Sequence, residues 1–180
     1  MKNCIFALFF KLLSNKMKKV LFALALFVSI SVHAQSTATV EGATFGATYD
    51  ETLTALKGTL GEPSSKSDDK LVYLNKDFEG FKANRVELGF QDLSASKKFN
   101  QARFYFVCVN KAAAVAKMKA IAKKMESKYT VSYDIEDEGM EFYKGGQSPL
   151  GIGSLFTIFV SPYLGKWTCQ VRYGSFHFKA

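Results

Sequence analysis

The sequence predicts an α+β fold of two tandem helix-plus-antiparallel-sheet units, each reading α-β-β-β, with both helices on one face of the sheet. Three observations predict it. A helical period runs from Asn110 to Lys128, runs of alternating apolar residues stand on either side of it, and the order of helix then strands occurs twice. From Tyr49 to Ala102 is 53 residues, and from Lys111 to Trp167 is 56. Similar spacing with little residue-by-residue identity points to a duplicated structural unit. The two units are expected over residues 45–109 and 110–178, inside one mature domain of residues 35–180.

Residues 1–34 read as a leader. Met17-Lys18-Lys19 is a basic start, Val20 to Ile30 an apolar core, and Val32-His33-Ala34 a small-residue cleavage site, so a secretion signal cut after Ala34 is expected. Met1 to Lys16 is either an extension of that leader or precedes a true start at Met17. The apolar run is too short to span a hydrocarbon layer of about 30 Å, so no stable membrane span is expected after cleavage. No cysteine close behind the cut offers a site for a lipid anchor. The product is expected to be exported, to the periplasm or out of the cell.

The leader also carries much of the charge. The whole chain has 24 Lys and Arg against 16 Asp and Glu; five of the basic residues and none of the acidic ones precede Gln35, leaving 19 minus 16, or +3. That balance argues against a nucleic-acid partner.

The mature chain begins with a small polar stretch, Gln35 to Gly42, with a short edge strand expected within Ala38 to Phe45. The first helix follows. Thr48 and Glu51 have the spacing of a capping box, Leu53, Leu56 and Leu60 give the apolar stripe, and Gly61 with Pro63 ends it. Gly58 falls inside this predicted helix, where it costs about 1 kcal/mol relative to Ala and suggests close approach of another backbone. The order Gly46, Thr48, Glu51, Leu53, Leu60, Gly61, Pro63 resembles the helix signature of small exported bacterial proteins. These are the lipoproteins of the outer-membrane β-barrel assembly machinery and the β-lactamase-inhibitor protein, along with uncharacterised exported proteins of similar pattern. The chain departs from the lipoproteins in lacking their lipid-bearing cysteine. The resemblance spans about twenty residues and implies helices packed on one face of an antiparallel sheet, with non-catalytic protein binding.

Ser64 to Lys70 reads as a polar loop, and strands are expected at Leu71 to Leu74, Asn84 to Gln91 and Gln101 to Val109. Val86, Leu88 and Phe90 point inward and Arg85 and Glu87 outward; Phe104, Phe106 and Cys108 take one side of the next strand and Arg103, Tyr105 and Val107 the other. The central helix has Asn110 as N-cap and Ala114, Val115, Met118, Ile121, Ala122 and Met125 on its apolar face, flanked by lysines whose stems suit the edge of a buried stripe. Strands are then expected at Tyr129 to Ile135, Met140 to Lys144, Leu155 to Ser161 and Trp167 to Tyr173, with a Gly-rich loop from Gly145 to Gly153. In the last strand Trp167, Cys169, Val171 and Tyr173 face inward and Thr168, Gln170 and Arg172 outward.

Catalytic equipment is sparse. His177 is the one histidine after the leader, at the C-terminal end, with no ligand spacing around it for a zinc site or a triad, so no catalytic residue, metal site or cofactor is expected. Asp134, Glu136, Asp137, Glu138 and Glu141 read as a solvated hairpin tip, lacking the order of a calcium loop. Gly151-x-Gly153 lacks the third glycine of a phosphate loop and precedes a strand. Cys108 and Cys169 are either a disulfide or two small buried hydrophobes; Cα atoms more than about 7 Å apart cannot be bridged. What remains is a surface. The helix-free face is predicted to carry Arg85, Glu87, Arg103, Tyr105, Glu141, Tyr143, Gln170 and Arg172, and Tyr and Arg are residues that interfaces concentrate. The sequence therefore suggests a non-enzymatic module binding a protein or envelope component, with a small apolar or glycan ligand between sheet and helices as the alternative and a carboxylate-only hydrolase last.

Overall fold

The computed structural model describes residues 38–93 and 96–179; the leader and its cleavage site lie outside the described residues. The strands β1 (Thr39–Val40) and β2 (Ala43–Thr44) precede α1 (Tyr49–Leu56), followed by β3 (Ser65–Lys66), β4 (Lys70–Phe78), β5 (Phe81–Leu93) and β6 (Ser96–Cys108). Then come α2 (Lys111–Met125), β7 (Val131–Ile135), β8 (Glu141–Gln147), β9 (Ser154–Tyr163) and β10 (Lys166–Tyr173).

Two tandem α-β-β-β units do not exist. The strands β3 to β10 form one antiparallel sheet of eight, in the order β3-β4-β5-β6-β10-β9-β8-β7, and strand is the dominant structure, with helices of only 8 and 15 residues. The reason lies in β6 and β10. Both bury residues on both of their faces, Phe104 and Phe106 against Tyr105 on one, Cys169 and Val171 against Thr168 and Gln170 on the other. Strands of that kind belong in the middle of a sheet, where both rows of backbone polar groups find partners. They pair with each other along seven residue pairs, from Trp167 opposite Cys108 to Tyr173 opposite Ala102.

Both helices contribute to one apolar cluster on one side of this sheet: Leu56 of α1 and Met118, Ile121, Ala122 and Met125 of α2 pack with Leu71, Val86, Phe104, Ile158 and Val171 of the strands. Phe104 lies 4.2 Å, ring centre to ring centre, from Phe78, and Phe45 stacks on Phe99 at 4.5 Å. Burying side chains of this size stabilises the fold by roughly 1.5–3 kcal/mol each. Local signals hold the helices in place. Thr48 N–H donates to Glu51 Oε2 at 2.8 Å while Glu51 N–H donates to Thr48 Oγ1 at 3.4 Å, and Ala113 N–H donates to Asn110 Oδ1 at 2.8 Å.

Helix α1 is shorter than its leucine stripe suggests. The amides of Leu60 and Gly61 turn back onto the Leu56 carbonyl at 2.8 and 3.1 Å, so Gly58 lies past the helix, and a Cβ there would meet nothing within 4 Å. The expected Gly-rich loop is shorter too, because Gly145 and Gly146 belong to β8. A Cβ on Gly145 would sit 2.7 Å from Phe156 Cζ and 2.8 Å from the Thr130 carbonyl oxygen, so the glycine is there to admit an aromatic ring. The hairpins β1–β2, β4–β5 and β9–β10 each turn through two residues of positive φ: Glu41-Gly42, Glu79-Gly80 and Leu164-Gly165. Positive φ at both positions is the type I′ geometry that matches strand twist.

Candidate functional site

With the helices on one side, strand alternation assigns the other side residue by residue. One rank across the sheet reads Val72, Glu87, Arg103, Arg172, Thr157, Lys144 and Ser132 from β4 to β7; the next reads Leu74, Arg85, Tyr105, Gln170, Phe159, Phe142 and Asp134. Arg85, Glu87, Arg103, Tyr105, Gln170 and Arg172 therefore share the helix-free face as expected from alternation. Glu141 and Tyr143 do not. Tyr143 pairs with Ile158 and packs against the core, and Glu141, two residues away, is on the same side; Phe142 and Lys144 take their places on the open face. Phe142 and Tyr143 are both aromatic, so local alternation there has no unique phase, and only the register against β9 fixes it.

Glu87 organises this face. Its carboxylate accepts from Arg85 Nε at 2.7 Å, from Tyr105 Oη at 3.1 Å and from Tyr163 Oη at 3.4 Å, with Lys70 Nζ at 4.0 Å. Burial alone would raise its pKa, but the Arg85 hydrogen bond, Lys70 and the Tyr105 hydroxyl together hold it below the usual carboxylate range. Tyr163 arrives from the β9–β10 hairpin and lays its ring 4.4 Å from that of Tyr105. Beneath this ring Tyr105 is buried although no helix lies over it, Gln170 next to it across the seam is buried as well, and burial pushes the Tyr105 hydroxyl up to about 12. Gln170 Nε2 donates to Thr168 Oγ1 at 2.9 Å, and Thr168 donates on to the Ser161 carbonyl at 2.6 Å, so the buried polar groups form a chain. Tyr163, Phe159 and Phe142 were absent from the sequence-derived face. The alternation of Thr157, Phe159 and Ser161 against Phe156, Ile158 and Val160 carried the signal for Phe159.

The remaining candidates separate. Cys108 and Cys169 are free thiols on the core side of adjacent strands, but the register places Trp167 opposite Cys108 and Phe106 opposite Cys169, so the two sit diagonally instead of facing. Cys169 is buried, and burial pushes its thiol up to about 12. His177 is exposed in the tail that follows Tyr173, whereas the cysteines lie towards the other end of the β6–β10 seam. Among the described residues no group of three or more His, Cys, Asp or Glu side chains is placed to hold a metal, and no helix is long and apolar enough to cross a membrane. A cleft of about 500 Å³ opens between α2 and the β7–β8 hairpin, floored by Val115, Met118, Val160 and Trp167 and rimmed by Lys111, Lys119, Glu138 and Glu141. Lys111 Nζ stands 5.6 Å from the centre of the Trp167 ring. No protein-family model, curated protein or solved structure matches the chain.

Proposed function

We propose that the chain is an exported, non-enzymatic binding module that docks a protein or envelope component on the helix-free sheet face. The observation that carries this reading is the helix-free pair of ranks in which Phe159 and Phe142 stand with the guanidinium groups of Arg85, Arg103 and Arg172, while Tyr163 lies over the buried Tyr105 beside them. Aromatic rings supply contact area with few torsions to freeze, and Arg supplies directed hydrogen bonds, which is why both concentrate at interface centres. Glu87 fixes the Arg85, Tyr105 and Tyr163 side chains before any partner arrives, and preorganisation of that kind lowers the entropy lost on association. The test is site-specific photo-crosslinking in the native envelope from position 159 or 142, with position 116 on the exposed side of α2 as control. Docking predicts a discrete product from 159 and 142 that is absent at 116; the same products from all three positions would refute it.

A second reading, a small apolar or glycan ligand held between sheet and helix, is favoured by the cleft beside Trp167. Trp167 is the single tryptophan, so its fluorescence reports on that cleft alone. Saturable change on titration with a fatty acid or an oligosaccharide supports this reading, and an unchanged spectrum removes it. A carboxylate hydrolase is disfavoured because the two acids at the cleft, Glu138 and Glu141, are both exposed on one hairpin instead of flanking a bound sugar bond.

A further inference from the structure

The centre of the helix-free face holds two like charges side by side. Arg103 of β6 and Arg172 of β10 are directly opposite each other in the register, on the same face, at the seam of the sheet. Like charges directly across two strands repel, although Arg103 also faces Glu87 on its other side and stands 6.0 Å from the centre of the Tyr105 ring. Glu87 is the next residue in the same rank, yet its oxygens are engaged by Arg85, Tyr105, Tyr163 and Lys70. Among the described residues neither Arg103 nor Arg172 has a carboxylate within ion-pair distance.

Arg172 is also short of acceptors. Its Nε is buried without a hydrogen bond to any described residue, and so is the hydroxyl of Thr157, which is its direct partner on β9. An unsatisfied buried donor is costly, so Arg172 gains from an acceptor that its guanidinium can turn to meet. The guanidinium lies over the Phe159 ring, 5.6 Å from its centre, which holds the fork in place against the sheet. Burial and the Arg103 charge both press Arg172 below the usual guanidinium range, with Glu136 acting the other way.

We infer that Arg103 and Arg172 form the recognition point for a carboxylate side chain on an acidic segment of a protein partner. The inference rests on the docking reading given above and names the chemistry that the docked partner brings. Two adjacent guanidinium forks offer parallel N–H donors that match a carboxylate's two oxygens, and a bound anion cancels the repulsion between them. An acidic polypeptide is favoured over a free anion because Arg172 lies over the partly exposed Phe159 ring on a strand face with no helix above it, so a ligand reaching the arginines also covers apolar surface.

The test uses the purified protein labelled with nitrogen-15 and follows the Nε–H signals of Arg103 and Arg172 in titrations with capped hexaglutamate, capped hexaglutamine and inorganic phosphate. The expected result is a saturable shift of the Arg172 Nε–H with hexaglutamate and none with hexaglutamine, with affinity falling at least about tenfold in Arg172→Gln and in Arg103→Gln. Lys119→Gln, on the helix side, should leave it unchanged. Relief of the like-charge pair should leave the melting temperature of Arg172→Gln equal to or above that of the parent. If a variant fails to fold, the Nε–H titration of the parent still decides. Absence of a saturable shift with hexaglutamate overturns the inference, and phosphate binding as strongly as hexaglutamate reassigns the pair to small anions and overturns it as well. A partner crosslinked from position 159 whose capture is untouched by both Arg→Gln variants overturns the carboxylate assignment alone. Hexaglutamate bound at the arginines with no discrete crosslink from this face overturns the docking reading alone.

Discussion

Replacing Glu87 by Gln tests whether one carboxylate holds the helix-free face together. Gln keeps the size of the side chain and one acceptor oxygen but removes the charge, so the Arg85 contact at 2.7 Å and the Tyr105 contact at 3.1 Å lose their charge assistance. The Glu87 side chain is 16% exposed and that of Arg85 34%, which places the pair between a surface bridge and a buried one. Hydrogen bonds to a charged group contribute about 1.5–3 kcal/mol, and losing one member of a fully buried pair costs about 3–5 kcal/mol. The partial exposure of Arg85 argues for the lower figure, so a loss of about 2–3 kcal/mol at pH 7 is expected. In a domain of this size that is a fall of about 5–10 °C in melting temperature, measurable by calorimetry or urea titration. The pH dependence has a fixed sign. Because the folded-state pKa of Glu87 is depressed, its stabilisation is complete above the unfolded value near 4.5 and is lost as pH falls through the folded value. The gap between parent and variant should thus be full at pH 7 and close progressively below about pH 4. A difference under about 0.5 kcal/mol at pH 7, within the ordinary range for surface substitutions, would refute the reasoning. So would a gap that persists undiminished at pH 3.

Three further outcomes follow from packing and backbone geometry. Gly145→Ala should destabilise the protein by about 1–3 kcal/mol, because the new Cβ meets the Phe156 ring and the Thr130 carbonyl, whereas Gly58→Ala, in open space, should be neutral or stabilising by up to about 1 kcal/mol; parallel urea titrations of the two variants check this. Leu164 has φ of 49° in the β9–β10 turn and is exposed, so Leu164→Asn should raise the melting temperature by about 2–4 °C, and an unchanged or lowered value would count against the turn geometry. Cys169, buried and with its thiol pushed up to about 12, should resist alkylation at pH 8 in the folded protein and react only once urea unfolds it, as mass spectrometry of the two cysteine peptides would show.

The parts of the fold written in local chemistry were legible. The helix-forming stripe of α2 predicted the burial of Ala114, Met118, Ile121, Ala122 and Met125, and the spacing of Thr48 and Glu51 predicted a cap that is present atom for atom. The parts decided by pairing were not. Nothing near Arg103 or Arg172 says that β6 and β10 are neighbours, and without that seam the chain divides naturally into two units instead of one sheet. The same limit applies to the site. Alternation placed Arg85, Glu87, Arg103, Tyr105, Gln170 and Arg172 on a common face, but it misassigned Glu141 and Tyr143 where two aromatic residues adjoin. It also could not show Tyr163 reaching Glu87 from 76 residues further along the chain. Gln170 and Thr168 looked solvated because polar residues on strands usually are, yet both are buried and hydrogen-bonded to one another.

The seam between β6 and β10 also sets the order in which the molecule can be completed. Cys108 must wait for Trp167, 59 positions later, before its strand gains a second neighbour. At about 5–20 residues per second on the ribosome, that leaves one flank of β6 bare for roughly 3–12 seconds while α2 and three other strands emerge. Of these eight strands the last to be made is the keystone, seated in the middle of the sheet and not at its rim. A nascent chain stopped before Lys166 carries two unfinished half-sheets, each with an interior strand exposed as an edge, which makes it the form of this protein most prone to join with another copy.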